Sequence, residues 1–391
     1  MLRKLRRPRT YDVAIYCNNK AFLPIVSLLD QDNSCVINPY DRRFRLLPLL
    51  HMVCHGRFSR IGLIASQITL ISPKVVITMM DNDVMFYQLK TYCPKTHFIA
   101  IQNGIRNNFS QSIDGGFFKV ISRMAKSKIA IDEIFVFNNL SAEKYRDLEL
   151  GATSITPIGS LLNNAVKPTK NVSSNTPRII SMISSLPATD PKVNERFGYI
   201  GDSEFSYNEY FAAEGEVAKF VHKFCQLHGY EMRIIGKRPA IVECEYNYFK
   251  EILPADGWIF VPSNGPESNY RLADESDVIV AIDSTLGYEC LARGARVAFL
   301  ACRFHVMGIN DIIDFEFGEL TGESRTGPFW TNKFDIQEFH RVLEFCCNSS
   351  DDEWSAICDP IASRAMEYDP GNSTILSRFQ ELGVKFENAK S

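Results

Sequence analysis

Three groups of residues in this chain carry side chains suited to chemistry. The first is Asp283-Ser284-Thr285-Leu286-Gly287-Tyr288-Glu289, set between the apolar runs 278–282 and Val297–Leu300. Ser284, Thr285 and Gly287 would leave a helix start with free backbone N–H groups, two hydroxyls and little bulk, a seat for a phosphate or diphosphate. Glu289 would fall on the first turns of that helix, where its carboxylate could accept hydrogen bonds from ribose hydroxyls. The same residues have a plain structural explanation, with Ser284 capping the helix and Glu289 complementing its dipole. The second group is Gly236-Lys237-Arg238, two cations directly after the strand-like stretch 231–235, accompanied by Ser184-Ser185 and by Pro262-Ser263-Asn264 after two other such stretches. The third is Asp81-Asn82-Asp83 after 75–79, with Gln102-Asn103-Gly104 and Arg106 after 97–101. An Asp-x-Asp triplet could hold a hard divalent cation or supply a general base, and Asp81 could equally cap the helix Val84–Tyr92.

The elements that must position these groups follow from the pattern. Near-continuous apolar runs of four or five residues suit strands covered on both faces, and only a helical crossover joins parallel strands at the spacing of 278–300. Every polar cluster above then lies at the carboxyl end of a strand, the edge where open α/β sheets bind ligands. The first half predicts strands at 13–16, 34–37, 75–79, 97–101, 134–137 and 154–158, with helices at 20–29 and 142–150. Residues 42–59 mix Arg with Leu and predict an amphipathic helix, facing either the core or a membrane. The stretch 163–177, rich in Pro, Ser/Thr and Asn, reads as a linker. The second half predicts strands at 178–183, 231–235, 258–261, 278–282 and 297–300, a long polar insertion up to Tyr210, and helices at 214–227, 246–253, 335–349, 351–367 and 373–382. The expected division is therefore a domain over 1–162, a linker over 163–177 and a domain over 178–391, each doubly wound.

With 391 residues, 45% of them apolar and 23% charged, the chain has the composition of an ordinary globular protein large enough for two domains. A net charge of −3 argues against general nucleic-acid binding. The charge is uneven, since residues 1–60 hold 11 Lys/Arg against 4 Asp/Glu. A basic amino-terminal part suits anionic headgroups or an acidic acceptor, and equally a solvated tail. The expected location is cytoplasmic, peripheral to a membrane at most: the first residues lack the apolar core of a signal peptide, and the uncharged run 61–73 is too short to span a bilayer. Eleven cysteines without a C-x-x-C pair fit reduced thiols, and no zinc site is expected.

The strand, polar loop and Glu-bearing helix of 278–300 resemble the carboxyl-terminal nucleotide-binding half of GT-B glycosyltransferases. More closely, Ile101-Gln102-Asn103-Gly104 with Arg106, Gly159-Ser160 with Asn163-Asn164, the Asp283–Glu289 segment and Gly327-Pro328-Phe329-Trp330-Thr331-Asn332 resemble a family of bacterial surface-carbohydrate biosynthesis proteins. The likeness runs from about Tyr11 to Asn332 and implies an α/β, GT-B-like fold of two Rossmann-like domains facing across a cleft. It implies a metal-independent glycosyltransferase of polysaccharide or lipopolysaccharide assembly, with no cofactor beyond its nucleotide-sugar donor, which could be a CMP-linked Kdo-type sugar. The acceptor would be a saccharide or lipid-linked saccharide. In that frame Lys237 and Arg238 would neutralise the leaving diphosphate beside Ser284, Thr285, Gly287 and Glu289. Asp81 would face the cleft as catalytic base, with Asp83, Gln102, Asn103 and Arg106 at the acceptor side and Asp83 turned more to solvent. GT-A enzymes use Asp-x-Asp for a metal, which keeps that alternative open, although they would not need the second domain. Two rivals share the fold: a non-hydrolysing sugar-nucleotide 2-epimerase, and a non-catalytic scaffold of the glycan assembly machinery.

Overall fold

The computed structural model describes residues 9–16, 26, 29–30, 32–40, 46–105, 109–110, 116–169, 178–186, 196–200, 203–309, 317 and 325–386. They form two compact units, one made of 1–106, 117–165 and 369–391, the other of 107–116 and 166–368. Arg106 and most of the predicted helix 20–29 lie outside the described residues.

Numbered along the whole chain, the strands of the first unit are β1 (Val13–Tyr16), β2 (Ser34–Ile37), β3 (Val75–Thr78), β4 (His97–Ile101), β6 (Glu133–Val136) and β7 (Ser154–Pro157). They pair in the order β2-β1-β3-β4-β6-β7, all parallel. Alternate residues serve opposite faces, as the strand period requires. Ala14, Tyr16, Val76, Phe98, Ala100, Ile134 and Val136 pack with Ile64, Ile68, Phe86 and Tyr145 from the helices Arg60–Ile71, Val84–Tyr92 and Asn139–Arg146. Val13, Ile15, Val75, Ile77, Ile99, Ile101 and Phe135 pack with Ile375 and Phe379 of the helix Ser373–Glu381. Both faces are covered, which is why these strands read as continuous apolar runs.

The helix Ser373–Glu381 therefore corrects the expected division, because the end of the chain belongs to the first unit rather than the second. Its anchor is polar. Glu133, buried on β6, accepts from Arg378 Nη2 at 2.6 Å and Nε at 2.9 Å, and its carboxylate lies 2.7 Å from His97 Nε2. Residues 163–165 are not linker either. They close the helix Leu161–Ala165, and Asn164 Nδ2 donates to the Ile158 carbonyl and to Asn372 Oδ1, while Asn372 Nδ2 donates to the Leu161 carbonyl. Asn-rich composition resembled a linker because these amides bind residues two hundred positions away.

The second unit holds β8 (Ile179–Ile183), β11 (Glu231–Ile235), β12 (Trp258–Val261), β13 (Val278–Ala281), β14 (Val297–Leu300), β15 (Thr326–Gly327) and β16 (Trp330–Thr331). Their order is β12-β11-β8-β13-β14-β16-β15, parallel except for the antiparallel pair β15–β16. The polar insertion before Tyr210 contains two further strands, β9 (Arg196–Ile200) and β10 (Ser203–Ser206), which form a small antiparallel sheet with β5 (Phe109–Ser110). Ser206 then opens the helix Tyr207–His228 with a full capping box to Glu209, seven residues earlier than expected for a helix starting at 214. Of the helix expected over 42–59, residues 42–45 lie outside the described residues and the helix Leu46–Cys54 is found; Gly56 at φ 63° ends this stretch, and the Ser59 cap starts a separate helix, Arg60–Ile71, beyond the expected range. Among the described residues no helix is long and apolar enough to cross a membrane.

The Glu133 anchor makes stability depend on acid. Burial opposes its charge, but hydrogen bonds from His97 and Arg378 outweigh burial and hold its pKa down to about 2 against an ordinary 4.5. A carboxylate depressed in the folded state stabilises fully above its unfolded pKa, and that contribution is lost as pH falls from about 4.5 towards about 2. The drop is equivalent to about 3 kcal/mol at neutral pH. Glu133→Gln should lower the melting temperature at pH 7 and flatten its dependence between those two pH values; thermal unfolding with an unchanged acid slope would show that another carboxylate controls it.

Candidate functional site

The carboxyl edge of the large sheet in the second unit collects loops from β8, β11, β12, β13 and β14. Their register is tied by backbone bonds beyond the strands, Ser184 N–H to the Ile235 carbonyl and Gly236 N–H to the Val261 carbonyl. At the centre is Arg303, 2% exposed, just past β14. Its Nε and Nη2 donate to the two oxygens of Asp283 at 2.6 and 3.0 Å. Its Nη1 and Nη2 also donate to the two oxygens of Glu214 at 2.9 and 2.8 Å, and Nη1 reaches the Tyr210 carbonyl. The guanidinium lies 4.3 Å from the centre of the Tyr210 ring. Burial works against charge on both carboxylates. At Asp283 the attraction and hydrogen bonds of Arg303 prevail, and its pKa lies below the ordinary value; at Glu214, wholly enclosed, burial prevails and raises it. Arg303 itself is driven further up by its two partners despite burial.

Lys237 lies beside this cluster. Its Nζ donates to the Ser185 carbonyl at 2.8 Å, and its backbone N–H is held at 3.0 Å from both oxygens of the buried Glu245. Glu245 also accepts from Ser184 Oγ, and burial raises its pKa. For Lys237, burial and the neighbouring Arg238 lower the pKa, with Asp283 and Glu214 pulling the other way. Lys237 is therefore partly an internal counter-charge, whereas Arg238 is exposed. Gly236 has a packing reason: a Cβ there would meet Phe260 at 3.0 Å and Ser263 N at 3.3 Å.

The helix Thr285–Ala292 follows β13. Ser284 is its N-cap in extended conformation, but the hydroxyl makes no capping bond and no acidic residue occupies the first turn. The helix start thus keeps its anion-binding capacity instead of spending it on a side-chain cap. Thr285 and Glu289, four residues apart, share one face. Glu289 is buried, at 6% exposure, on the second turn. Gly287 departs from expectation. A Cβ there would come within 2.5 Å of Ala281 Cβ and 3.2 Å of a Phe299 ring carbon, so its lack of bulk lets the helix press onto the sheet rather than admit a ligand.

The first unit stitches its own carboxyl edge together with the residues expected to face an acceptor. Asp81 is fully buried. Its Oδ2 accepts from the Tyr145 hydroxyl at 2.5 Å and its Oδ1 from the Asn103 backbone N–H at 3.3 Å, while the Tyr87 hydroxyl donates to its carbonyl. A carboxylate enclosed this way fixes the loops after β3 and β4; it is not placed as a base open to an incoming hydroxyl, which corrects the expected role. It does not cap the helix Val84–Tyr92 either. Asp83 does, accepting from Met85 N–H at 2.9 Å, and its other oxygen accepts from the Tyr16 hydroxyl at 2.8 Å and the Tyr40 hydroxyl at 3.3 Å rather than pointing to solvent. The two carboxylates of the triplet serve different partners, and no cluster of three or more His, Cys, Asp or Glu able to hold a metal occurs among the described residues. Gln102, also buried, accepts from Phe137 N–H at 2.8 Å and donates to the Gly104 carbonyl at 3.0 Å.

Sequence reasoning passed over Arg303, Glu214, Glu245 and Tyr145. The signal for Glu214 was present, since an acid within the apolar stripe Tyr210, Phe211, Ala213, Val217 and Ala218 must find a buried cation. Arg303 likewise sits between Cys302 and Phe304 at a strand end.

A family model described as “putative O-antigen biosynthesis protein” matches residues 99–382. No curated protein matches the sequence. Among solved structures, the fold is similar to MnaA of S. aureus with UDP, at a TM-score of 0.57 and 10% identity over 96% of this chain and 98% of that one. It is similar to UDP-GlcNAc 2-epimerase of Methanocaldococcus jannaschii with UDP-GlcNAc and UDP, at 0.54 and 9% over 94% and 99%. It is also similar to a glycosyltransferase of Rickettsia africae ESF-5, at 0.51 and 13% over 96% and 99%. Such identities speak for the fold alone, the two-sheet α/β fold that GT-B glycosyltransferases and these epimerases share. The family match covers well over half of the sequence, and the chain belongs to this O-antigen biosynthesis protein family.

Proposed function

We propose that the protein is a glycosyltransferase of O-antigen or related surface-polysaccharide assembly, moving a sugar from a nucleotide donor to a saccharide acceptor. The observation that carries this is the uncapped start of the helix Thr285–Ala292, at the same sheet edge as exposed Arg238. Backbone N–H groups and a guanidinium two strands away along the same sheet edge meet the needs of a diphosphate that gains charge as its bond to the sugar breaks. Ser284 and Thr285 supply hydroxyls to the phosphates, and Glu289 takes the ribose. Arg238 stabilises the leaving group without a metal ion, with Lys237 completing the internal charge balance behind it. In the first unit Asp81 and Gln102 hold the loops that Asn103, Asp83 and Arg106 would use towards an acceptor. Chemistry that rests on leaving-group stabilisation asks least of the enclosed carboxylate Asp81.

The epimerase alternative rests on the shared fold, since several of the similar structures are described as UDP-GlcNAc 2-epimerases. Incubation with UDP-GlcNAc and no acceptor separates the two, since only an epimerase converts the sugar under those conditions. A thermal-shift comparison of UDP, CMP and their sugars decides between a diphosphate donor and a CMP-linked Kdo-type donor, because binding raises the melting temperature in step with affinity.

Glu289→Gln should weaken nucleotide binding by about 1.5–3 kcal/mol, the range for a hydrogen bond to a charged group, with the melting temperature near wild type. Calorimetry showing unchanged affinity would remove Glu289 from the ribose site. Transfer should persist in EDTA, and Arg238→Ala should cut turnover about 10²-fold. Activity abolished by EDTA and restored by manganese would return the metal role to Asp81 and Asp83.

A further inference from the structure

The first unit carries an apolar stripe that its core does not use. On the helix Leu46–Cys54, Leu46, Leu50 and Val53 follow the i, i+4, i+7 spacing of one face and are 44, 45 and 48% exposed. The opposite side is the packed one, with Pro48 buried and His51 Nδ1 3.0 Å from the Ser66 hydroxyl on the next helix. Just beyond the helix end stands Phe58, 73% exposed, the highest value among the exposed large hydrophobic side chains described.

Phe58 is held there by a braced corner. Gly56 turns the chain at φ 63°, Arg57 N–H donates to the Met52 carbonyl, and Ser59 N–H donates to the Arg57 carbonyl. The Ser59 hydroxyl accepts from Gly62 N–H, and a Cβ on Gly62 would lie 2.0 Å from the Arg57 carbonyl oxygen. The absence of a side chain at 62 lets the second helix start directly against the corner. The backbone on either side of Phe58 is therefore fixed by this corner, and its ring stands exposed on it. A single exposed Leu needs no explanation, but a regular stripe ending in a fixed exposed Phe does.

The surrounding charge names the partner. No Asp or Glu occurs from 42 to 80, a stretch that holds Arg42, Arg43, Arg45, Arg57, Arg60 and Lys74. Arg60 and His55 are exposed at the corner itself. An apolar stripe beside the exposed Arg60, on a segment whose sequence carries no acid from 42 to 80, matches a surface with an apolar interior and an anionic rim. We propose that the face formed by Leu46, Leu50, Val53 and Phe58 docks on a bilayer bearing anionic headgroups, with the apolar side chains in the headgroup–acyl boundary and the cations at lipid phosphates.

Vesicle co-sedimentation of the full chain tests this. Wild type should pellet with vesicles of equal parts phosphatidylcholine and phosphatidylglycerol, less so as salt rises, and hardly at all with phosphatidylcholine alone. Leu50→Glu and Phe58→Glu should each reduce binding about ten-fold or more while leaving the melting temperature unchanged, since both side chains are exposed. Variants that pellet like wild type, or wild type indifferent to headgroup charge, would overturn the proposal. So would sedimentation velocity showing a wild-type dimer that Leu50→Glu splits, because the stripe would then belong to a second copy of the chain.

Discussion

The guanidinium of Arg303, out of water between two carboxylates, is the interaction on which the second unit depends. One cation spans the loop after β13 through Asp283, the long helix Tyr207–His228 through Glu214, and the first turn of that helix through the Tyr210 carbonyl. Taking such charges out of water costs several kcal/mol per ion, which only close two-point hydrogen bonding offsets. The arrangement is therefore a constraint more than a source of net stability. It tolerates little displacement of either partner, and it holds the residue that precedes Ser284 in one place. Two carboxylates against one guanidinium leave an excess negative charge, and Lys237, which interacts with both acids, supplies the balance.

The first unit braces its strand ends with one acid and one amide. Asp81 and Gln102 sit at adjacent strand ends, each fully inside and each bonded to the loop of a neighbouring strand. These bonds satisfy backbone N–H groups that leave the sheet where no further ladder partner exists. The loops they secure are thereby tied to one another along the sheet edge. In both units, residues that look like reacting groups by type turn out to hold the neighbours that remain accessible, Asn103 in one case and Ser284 with Thr285 in the other.

The sequence by itself determined the strands β1–β4, β6–β8 and β11–β14, their crossovers and the strand-end position of each polar cluster, because apolar runs covered on both faces and helix stops are local signals, but it gave no sign of the short strands β5, β9, β10, β15 and β16. It also placed Asp283 through Glu289 at a helix start, since a strand, a polar loop and a helix leave no other arrangement. Tertiary structure alone decided which of those polar residues face inward. Asp81 and Asp83 are two positions apart and chemically identical, yet one is locked to Tyr145 and the other caps a helix and meets Tyr16 and Tyr40. Gly287 serves the sheet rather than a ligand because Ala281 and Phe299 lie beneath it. The return of Ser373–Glu381 to the first unit rests on Arg378 finding Glu133, 245 residues away. Such pairings depend on distances between elements remote in the chain, and periodicity carries no information about those.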